Sequence, residues 1–184
     1  AFLATPVMQN GKKIGVLVVQ VPVDGITAIM SNHDQWQQSG MGETGDSYLV
    51  GADSKLRSNL RRSIEDMDGF VSELTAINHS PNELTEMTQR GSGVGVLSIP
   101  TQPVSQAQNG NTGYIETTGL SGQPVLSAYT SIRIFDIPWV LISEIDSAEV
   151  YVPIAQARTE MIIYAAIITL LSAGLGLLVA VYMG

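Results

Sequence analysis

The chain has 184 residues, nine of them Lys or Arg and seventeen Asp or Glu, giving a formal net charge of −8, and it contains no cysteine. That acidity excludes the clustered basic surface that a phosphate backbone requires, so no nucleic-acid partner is expected. Without cysteine, neither a disulfide framework nor a thiolate metal site is available.

Residues 2–7 and 13–21 read as two β-strands joined at Gln9-Asn10-Gly11, because an Asn-Gly pair readily takes the positive φ angles of a tight hairpin turn. Residues 14–19 are nearly continuously apolar, which predicts a central strand buried on both faces, with Gly15 marking a bulge or a close backbone approach. Pro22 ends the strand, and apolar residues at 23, 26, 29 and 30 have the spacing of a short helix. Since a lone hairpin is not stable in water, its sheet partners are expected before Ala1.

Residues 40–51 (GMGETGDSYLVG) place Gly-rich turns around a strand at 47–50. A turn at 51–54 follows, where Asp53 can bond its own backbone, and then a second strand at 55–59. A phosphate loop does not fit this glycine cluster, which lacks the Gly-Lys-Ser/Thr ending and leads into a strand; the same holds for residues 91–95. Apolar positions Ile64, Met67, Phe70, Val71 and Leu74 fall at helical spacing, so residues 61–90 predict an amphipathic helix with a loop near 78–82. Residues 100–111 (PTQPVSQAQNGN) read as a polar loop.

Three strands then follow at 113–118, 124–134 and 139–145, with turns at 119–122 and 135–138. Val125, Ser127, Tyr129, Ser131 and Arg133 share one face of the middle strand. The fold class expected is α+β: a PAS-like antiparallel sheet of about five strands with flanking helices, followed by one long transmembrane helix.

The last segment stands apart, because every charged residue lies at or before Glu160. Residues 161–183 contain no charge and no proline. As a helix they would span about 35 Å, enough to cross a hydrocarbon core of about 30 Å. The segment lacks the basic flank and cleavage site of a signal peptide. Asp146 followed by Glu149 has the form of a helix N-cap with an acidic third position, so one helix is expected over 147–183. Pro153 lies beyond its first turn and should bend it. Val150, Ile154, Ala157, Met161, Tyr164, Ile168, Leu171, Leu175, Leu178 and Tyr182 form a heptad stripe suited to a parallel homodimer. Ser172, Gly176 and Ala180 form a competing small-residue stripe. Arg158 is the only basic residue near the upstream end, which points to an outside domain and an inside C-terminus.

Catalytic and metal chemistry find little support. His33 and His79 lack the histidine partner of a helical zinc site, and no Gly-x-Ser-x-Gly elbow exists. Glu65, Asp66 and Asp68 read as a solvated helix face. No catalytic residue, metal ligand or cofactor is nominated.

The strings GETGDSYLVGADSKLRSN, TGYIETTGLSGQPVLSAYTSI and PWVLISEIDSAEVYVPI, followed by a span, resemble the membrane-proximal half of a double Cache sensor domain. The opening TPVMQNGKKIGVLVVQVPVDGITAIM is similar to the end of the preceding, membrane-distal half. Such domains occur in bacterial chemoreceptors, sensor histidine kinases and receptor-type adenylate or guanylate cyclases. The resemblance implies residues 1–31 as the end of a distal module with its linking helix, and residues 32–146 as a proximal PAS-like module. Residues 147–160 then form a juxtamembrane helix and residues 161–183 the transmembrane helix. It implies a piece of a longer single-span receptor in the bacterial inner membrane, with its soluble domain in the periplasm and its output domain beyond residue 184. That receptor would be a homodimer, or docked on a larger membrane complex, and would answer to a small-molecule ligand.

The amino-acid-binding constellation of the family lies in the distal half and cannot be carried over. In the proximal module, Tyr48, Arg57, Tyr114, Tyr129 and Arg133 are nominated as pocket residues, since aromatic rings and a guanidinium suit a small anionic or zwitterionic ligand. The simpler alternative is core tyrosines with a wet hydroxyl and surface arginines. Another function class, a non-signalling structural subunit docked through the module and span, also fits the sequence.

Overall fold

The computed structural model describes residues 2–20, 22–134 and 136–184, and all their side chains except those of 2, 3 and 153–156. The chain divides into two compact units, Ala1–Asp146 and Ser147–Gly184.

The first unit opens with the expected hairpin, β1 (Phe2–Gln9) and β2 (Lys12–Gln20). Asn10 (φ 49°) and Gly11 (φ 75°) form its two-residue turn, whose twist matches that of the strands. Val7 lies opposite Gly15 and Met8 opposite Lys13, so Ile14 is an extra residue in a bulge beside Gly15. Burial of residues 14–19 on both faces is not what the structure shows. Ile14 and Val16 through Val19 are 49–58% exposed, because among the described residues β2 pairs with β1 alone. An apolar run specifies what a strand can bury, and a two-stranded ribbon leaves both faces open. The predicted end of this strand, Val21, lies outside the described residues. Helix α1 (Val23–Met30) follows, and its Thr27 Oγ1 accepts the Asn59 N–H at 3.0 Å.

The principal sheet has four antiparallel strands in the order β3 (Asp46–Gly51), β6 (Ile137–Asp146), β5 (Pro124–Ile134) and β4 (Gly113–Thr118). The stretch 55–59, expected as a further strand, makes only isolated bridges, Val50 to Leu56 and Lys55 to Ser98. The cause is local. Arg57 N–H reaches the Leu49 carbonyl at 2.7 Å, but the Leu49 N–H is taken by the Ser58 hydroxyl at 3.0 Å instead of a backbone carbonyl. The turn expected just before it, at 51–54, is present, with Asp53 Oδ1 accepting the Lys55 N–H at 3.1 Å.

Residues 61–90 form three helices, α2 (Arg61–Glu65), α3 (Met67–Ala76) and α4 (Pro81–Arg90). Asp66 makes the first break. Its backbone leaves the helical region at φ −155°, ψ 84°, and its side chain accepts the Gly69 N–H at 2.9 Å as the N-cap of α3. An acid expected on a solvated face is therefore a cap. Asp66→Ala should lower stability by about 1 kcal/mol, read as a lower urea midpoint at unchanged slope; no shift would mean that water caps α3 equally well.

Residues 100–111 also differ from expectation, containing helix α5 (Gln102–Gln108) instead of a loop. Pro103 sits in its first turn, where a missing N–H costs nothing. Val104 and Ala107 are buried on the side that meets β5 and β6. Two small apolar residues three apart suffice once a sheet is there to receive them.

The core lies between one sheet face and these helices. Tyr48, Val50, Val140 and Ile142 project from the sheet, and Phe70, Leu74, Leu84, Met87, Leu97, Ile99, Val104 and Ala107 pack over them. Alternation along each strand sets this face.

The second unit is α6 (Ser147–Met183), one helix of 37 residues. Its large apolar side chains, among them Leu170, Leu171, Leu177 and Leu178, are exposed. Thr169 and Ser172 turn their hydroxyls back to the carbonyls of Ala165 and Ile168, each at 2.8 Å, which satisfies them without water. The helix is long and apolar enough to cross a membrane. The side chains of Pro153, where a bend is expected, and of the contact position Ile154 are among those not described.

Candidate functional site

Where the core face reaches the end of the sheet, the packing opens into a cavity of about 490 Å³. Asp46 and Tyr48 enter it from β3, Val125 from β5, and Glu144 and Asp146 from β6. Leu60, α2 and α3 form a second wall through Arg61, Arg62, Glu65, Phe70 and Glu73. The β4–β5 turn adds Gly119, Leu120, Ser121 and Gln123, and the Gly-rich loop adds Glu43 and Thr44.

Two carboxyls face each other inside it, because Asp46 and Glu144 are register partners on adjacent strands. Asp46 Oδ2 accepts the Arg61 backbone N–H at 2.7 Å, and Glu144 Oε1 accepts the Ser127 hydroxyl at 3.0 Å. Burial pushes Asp46 up to about 7; the Arg61 and Ser47 backbone N–H groups oppose this, the charge of Glu144 adds to it, and the Arg61 charge opposes it least. Glu144 is raised for the same chief reason, with Ser127 and Tyr48 opposing and Asp146 reinforcing. Both acids are thus held toward the neutral form, as expected where charge is removed from water without an ion-pair partner.

The two arginines of the wall are engaged elsewhere. Arg61 donates Nε–H to Glu65 at 2.8 Å and Nη1–H groups to the carbonyls of Gly42 and Gly45 at 3.0 and 3.1 Å. Its guanidinium lies 4.9 Å from the centre of the Trp36 ring. A side chain on Gly45 would collide with the Met41 carbonyl, so the Gly-rich string GMGETG is a cradle for this guanidinium. Arg62 pairs with Glu73 at 2.7 Å and Asp66 at 3.5 Å. Asp46 and Glu144 form no ion pair among the described residues.

Tyr48 completes the site. It is 2% exposed, and its hydroxyl has no hydrogen-bond partner. Burial first, and then the nearby Glu144 and Asp46, push it well above the usual tyrosine range. The hydroxyl lies near enough to Glu144 to hold that carboxyl down, but it makes no well-formed hydrogen bond.

Of the five nominated residues, the structure brings only Tyr48 to this cavity. Arg57 is folded back on its own turn, bidentate to Asp53 at 2.7 and 2.8 Å and bonded to the Lys55 and Leu56 carbonyls. Tyr114 is 79% exposed on β4. Tyr129 packs against the core, and Arg133 is exposed near the β5–β6 turn, opposite Pro138. On α6, Ala157, Ser172, Gly176 and Ala180 are exposed. Asp46, Glu144 and Arg61 escaped sequence reasoning, although one signal existed. Val140, Ile142 and Glu144 alternate on one strand, so a reader who placed the first two in the core would have placed the acid there too.

No family model matches the sequence, and no curated protein matches it. Solved structures do. The periplasmic sensory domain of the Campylobacter jejuni chemoreceptor Tlp1 matches over 83% of this chain and 45% of its own, with TM-score 0.51 and 12% identity. The ligand-binding domain of the Pseudomonas aeruginosa PAO1 amino acid chemoreceptor PctB, in complex with L-Arg, matches over 82% of this chain and 49% of its own, at TM-score 0.45 and 15% identity. That of the Pseudomonas fluorescens chemoreceptor CtaA, in complex with L-isoleucine, matches over 82% and 47%, at TM-score 0.45 and 16% identity. The chain spans about half the length of these neighbours or less. In fold, it is similar to a periplasmic sensory domain of a chemoreceptor, as the sequence resemblance implied.

Proposed function

We propose that this chain is the extracytoplasmic sensor portion of a single-span receptor in a bacterial inner membrane, passing ligand state to a cytoplasmic output domain. The observation that carries this reading is the chain path. Strand β6 brings Glu144 and Asp146 to the cavity, and α6 begins at the next residue, Ser147, with no loop between. A ligand that favours one arrangement of the cavity wall acts within three residues, in covalent terms, of a helix able to cross a membrane. Residues 1–31 serve as the end of a preceding module, and α6 pairs with a second copy through the stripe Val150, Ile154 and Ala157 or through Ser172, Gly176 and Ala180. The docked structural subunit has no observation in its favour.

The absence of native cysteine makes the test direct. Asn109→Cys, at an exposed site beyond α5, should react with a membrane-impermeant maleimide on intact spheroplasts, and Ser172→Cys, Gly176→Cys or Ala180→Cys should crosslink in membranes. Labelling of Asn109→Cys only after permeabilisation would put the module on the wrong side and end the sensor reading.

A further inference from the structure

We infer that the cavity at the end of the sheet binds a small primary amine, its ammonium seated between Asp46 and Glu144 with the Tyr48 hydroxyl as third partner and its apolar body against Leu60, Phe70, Leu120 and Val125. This names the ligand class for the site of the sensor reading, and it rests on that cavity being the site.

Three independent observations converge. The first is charge: the cavity wall holds more carboxyls than guanidiniums, and both guanidiniums are already bound to Glu65, Glu73, Asp66 and backbone carbonyls. An anion entering here meets acids and no available cation. The second is the Tyr48 hydroxyl, buried at the cavity wall without a partner. Buried polar atoms are nearly always satisfied, so an unpartnered hydroxyl on a residue that lines a cavity points to a ligand atom there. A hydroxyl can accept from an ammonium N–H, and a primary ammonium has three to give. The third is the apolar part of the lining, Leu60, Phe70, Leu120 and Val125; a hydrated inorganic ion would leave it wet, whereas an alkyl or aryl group covers it. Among the described residues, no group of three or more His, Asp or Glu side chains is placed to hold a metal ion. The raised acids fit as well: a buried pair without an ion-pair partner holds protons in its place.

The same geometry sets specificity. A zwitterionic amino acid carries a carboxylate that would need a guanidinium, and none is free. The amine should therefore bind where the amino acid of the same side chain does not.

The test is calorimetry on the full chain in detergent or nanodiscs at pH 8, with 3-methylbutylamine and L-leucine as paired probes. Saturable binding of the amine, with no detectable binding of L-leucine at tenfold higher concentration, is expected. Glu144→Gln should weaken the amine roughly tenfold or more, the loss of one charge-assisted hydrogen bond. Tyr48→Phe should weaken it about threefold to tenfold while leaving the chain as stable or more so, since it removes an unpartnered group; this variant guards against a Gln variant that misfolds. Equal binding of both probes, no amine binding, or affinity unchanged in Tyr48→Phe would overturn the inference. Failure here with outside labelling of Asn109→Cys removes only the ligand class. Amine binding with labelling confined to permeabilised cells removes only the sensor reading.

Discussion

Replacing Asp46 with Asn should make the protein more stable above pH 7 and flatten most of its loss of stability between pH 4 and 7. The sign follows from the direction of the shift. Asp46 titrates near 3.8 in the unfolded chain and at about 7 in the folded one, so the folded state holds the proton more tightly. A raised carboxyl contributes stability that is fully present below about pH 4 and lost as pH rises through about 7. The full separation corresponds to roughly 4 kcal/mol, with Glu144 acting in the same direction. Asn keeps a side-chain oxygen for the Arg61 N–H, but its amide must be buried where the protonated acid was, without a partner of its own. The net gain expected at pH 8 is therefore about 1–2 kcal/mol. Unfolding followed by fluorescence of the two buried tryptophans, Trp36 and Trp139, from pH 4.5 to 8 reads it directly. Wild-type stability that rises across this range would mean that Asp46 is ionised throughout and that burial does not govern it.

Phe70→Ala should cost about 3 kcal/mol, at the lower end for a buried phenylalanine. Phe70 is 1% exposed and anchors α3, together with Leu74, against Tyr48 and Ile142. Truncation normally adds the penalty of an empty void to the lost transfer energy. Here the ring also lines the cavity, so the space vacated joins one that water already reaches, and the void penalty is reduced. Phe70→Leu, which keeps most of the volume, should cost no more than about 1.5 kcal/mol. Urea midpoints at constant slope measure both. A cost below about 1 kcal/mol for Phe70→Ala would show that α3 is not seated on the sheet as described.

The elements differ in how far local chemistry dictated them. The hairpin turn needed only Asn10 and Gly11, whose backbone freedom is intrinsic. The strands β4 and β5 needed only alternation bounded by glycine and proline. Helix α6 needed only its unbroken apolar run. By contrast, residues 102–108 carry no helical pattern strong enough to see, because Val104 and Ala107 become a buried face only against β5 and β6. Residues 55–59 have strand-like composition, yet Ser58 supplies a side-chain oxygen where a ladder would need a carbonyl. Asp66 reads as one acid among several until the chain reverses at that residue and its carboxylate caps α3.

The cavity shows the same division. The sequence by itself determined an acidic, cysteine-free α+β module followed by a helix fit to cross a membrane, since charge, alternation and apolar length act within a few neighbouring residues. Only the tertiary structure decided which acids matter. Asp46 and Glu144 are 98 positions apart in the chain and meet through the β3–β6 register, while the arginines that might have neutralised them are held by Glu65, Glu73 and the Gly42–Gly45 carbonyls. Whether a charged residue is paired, capped or left facing a cavity depends on contacts between distant segments, and those are set by packing.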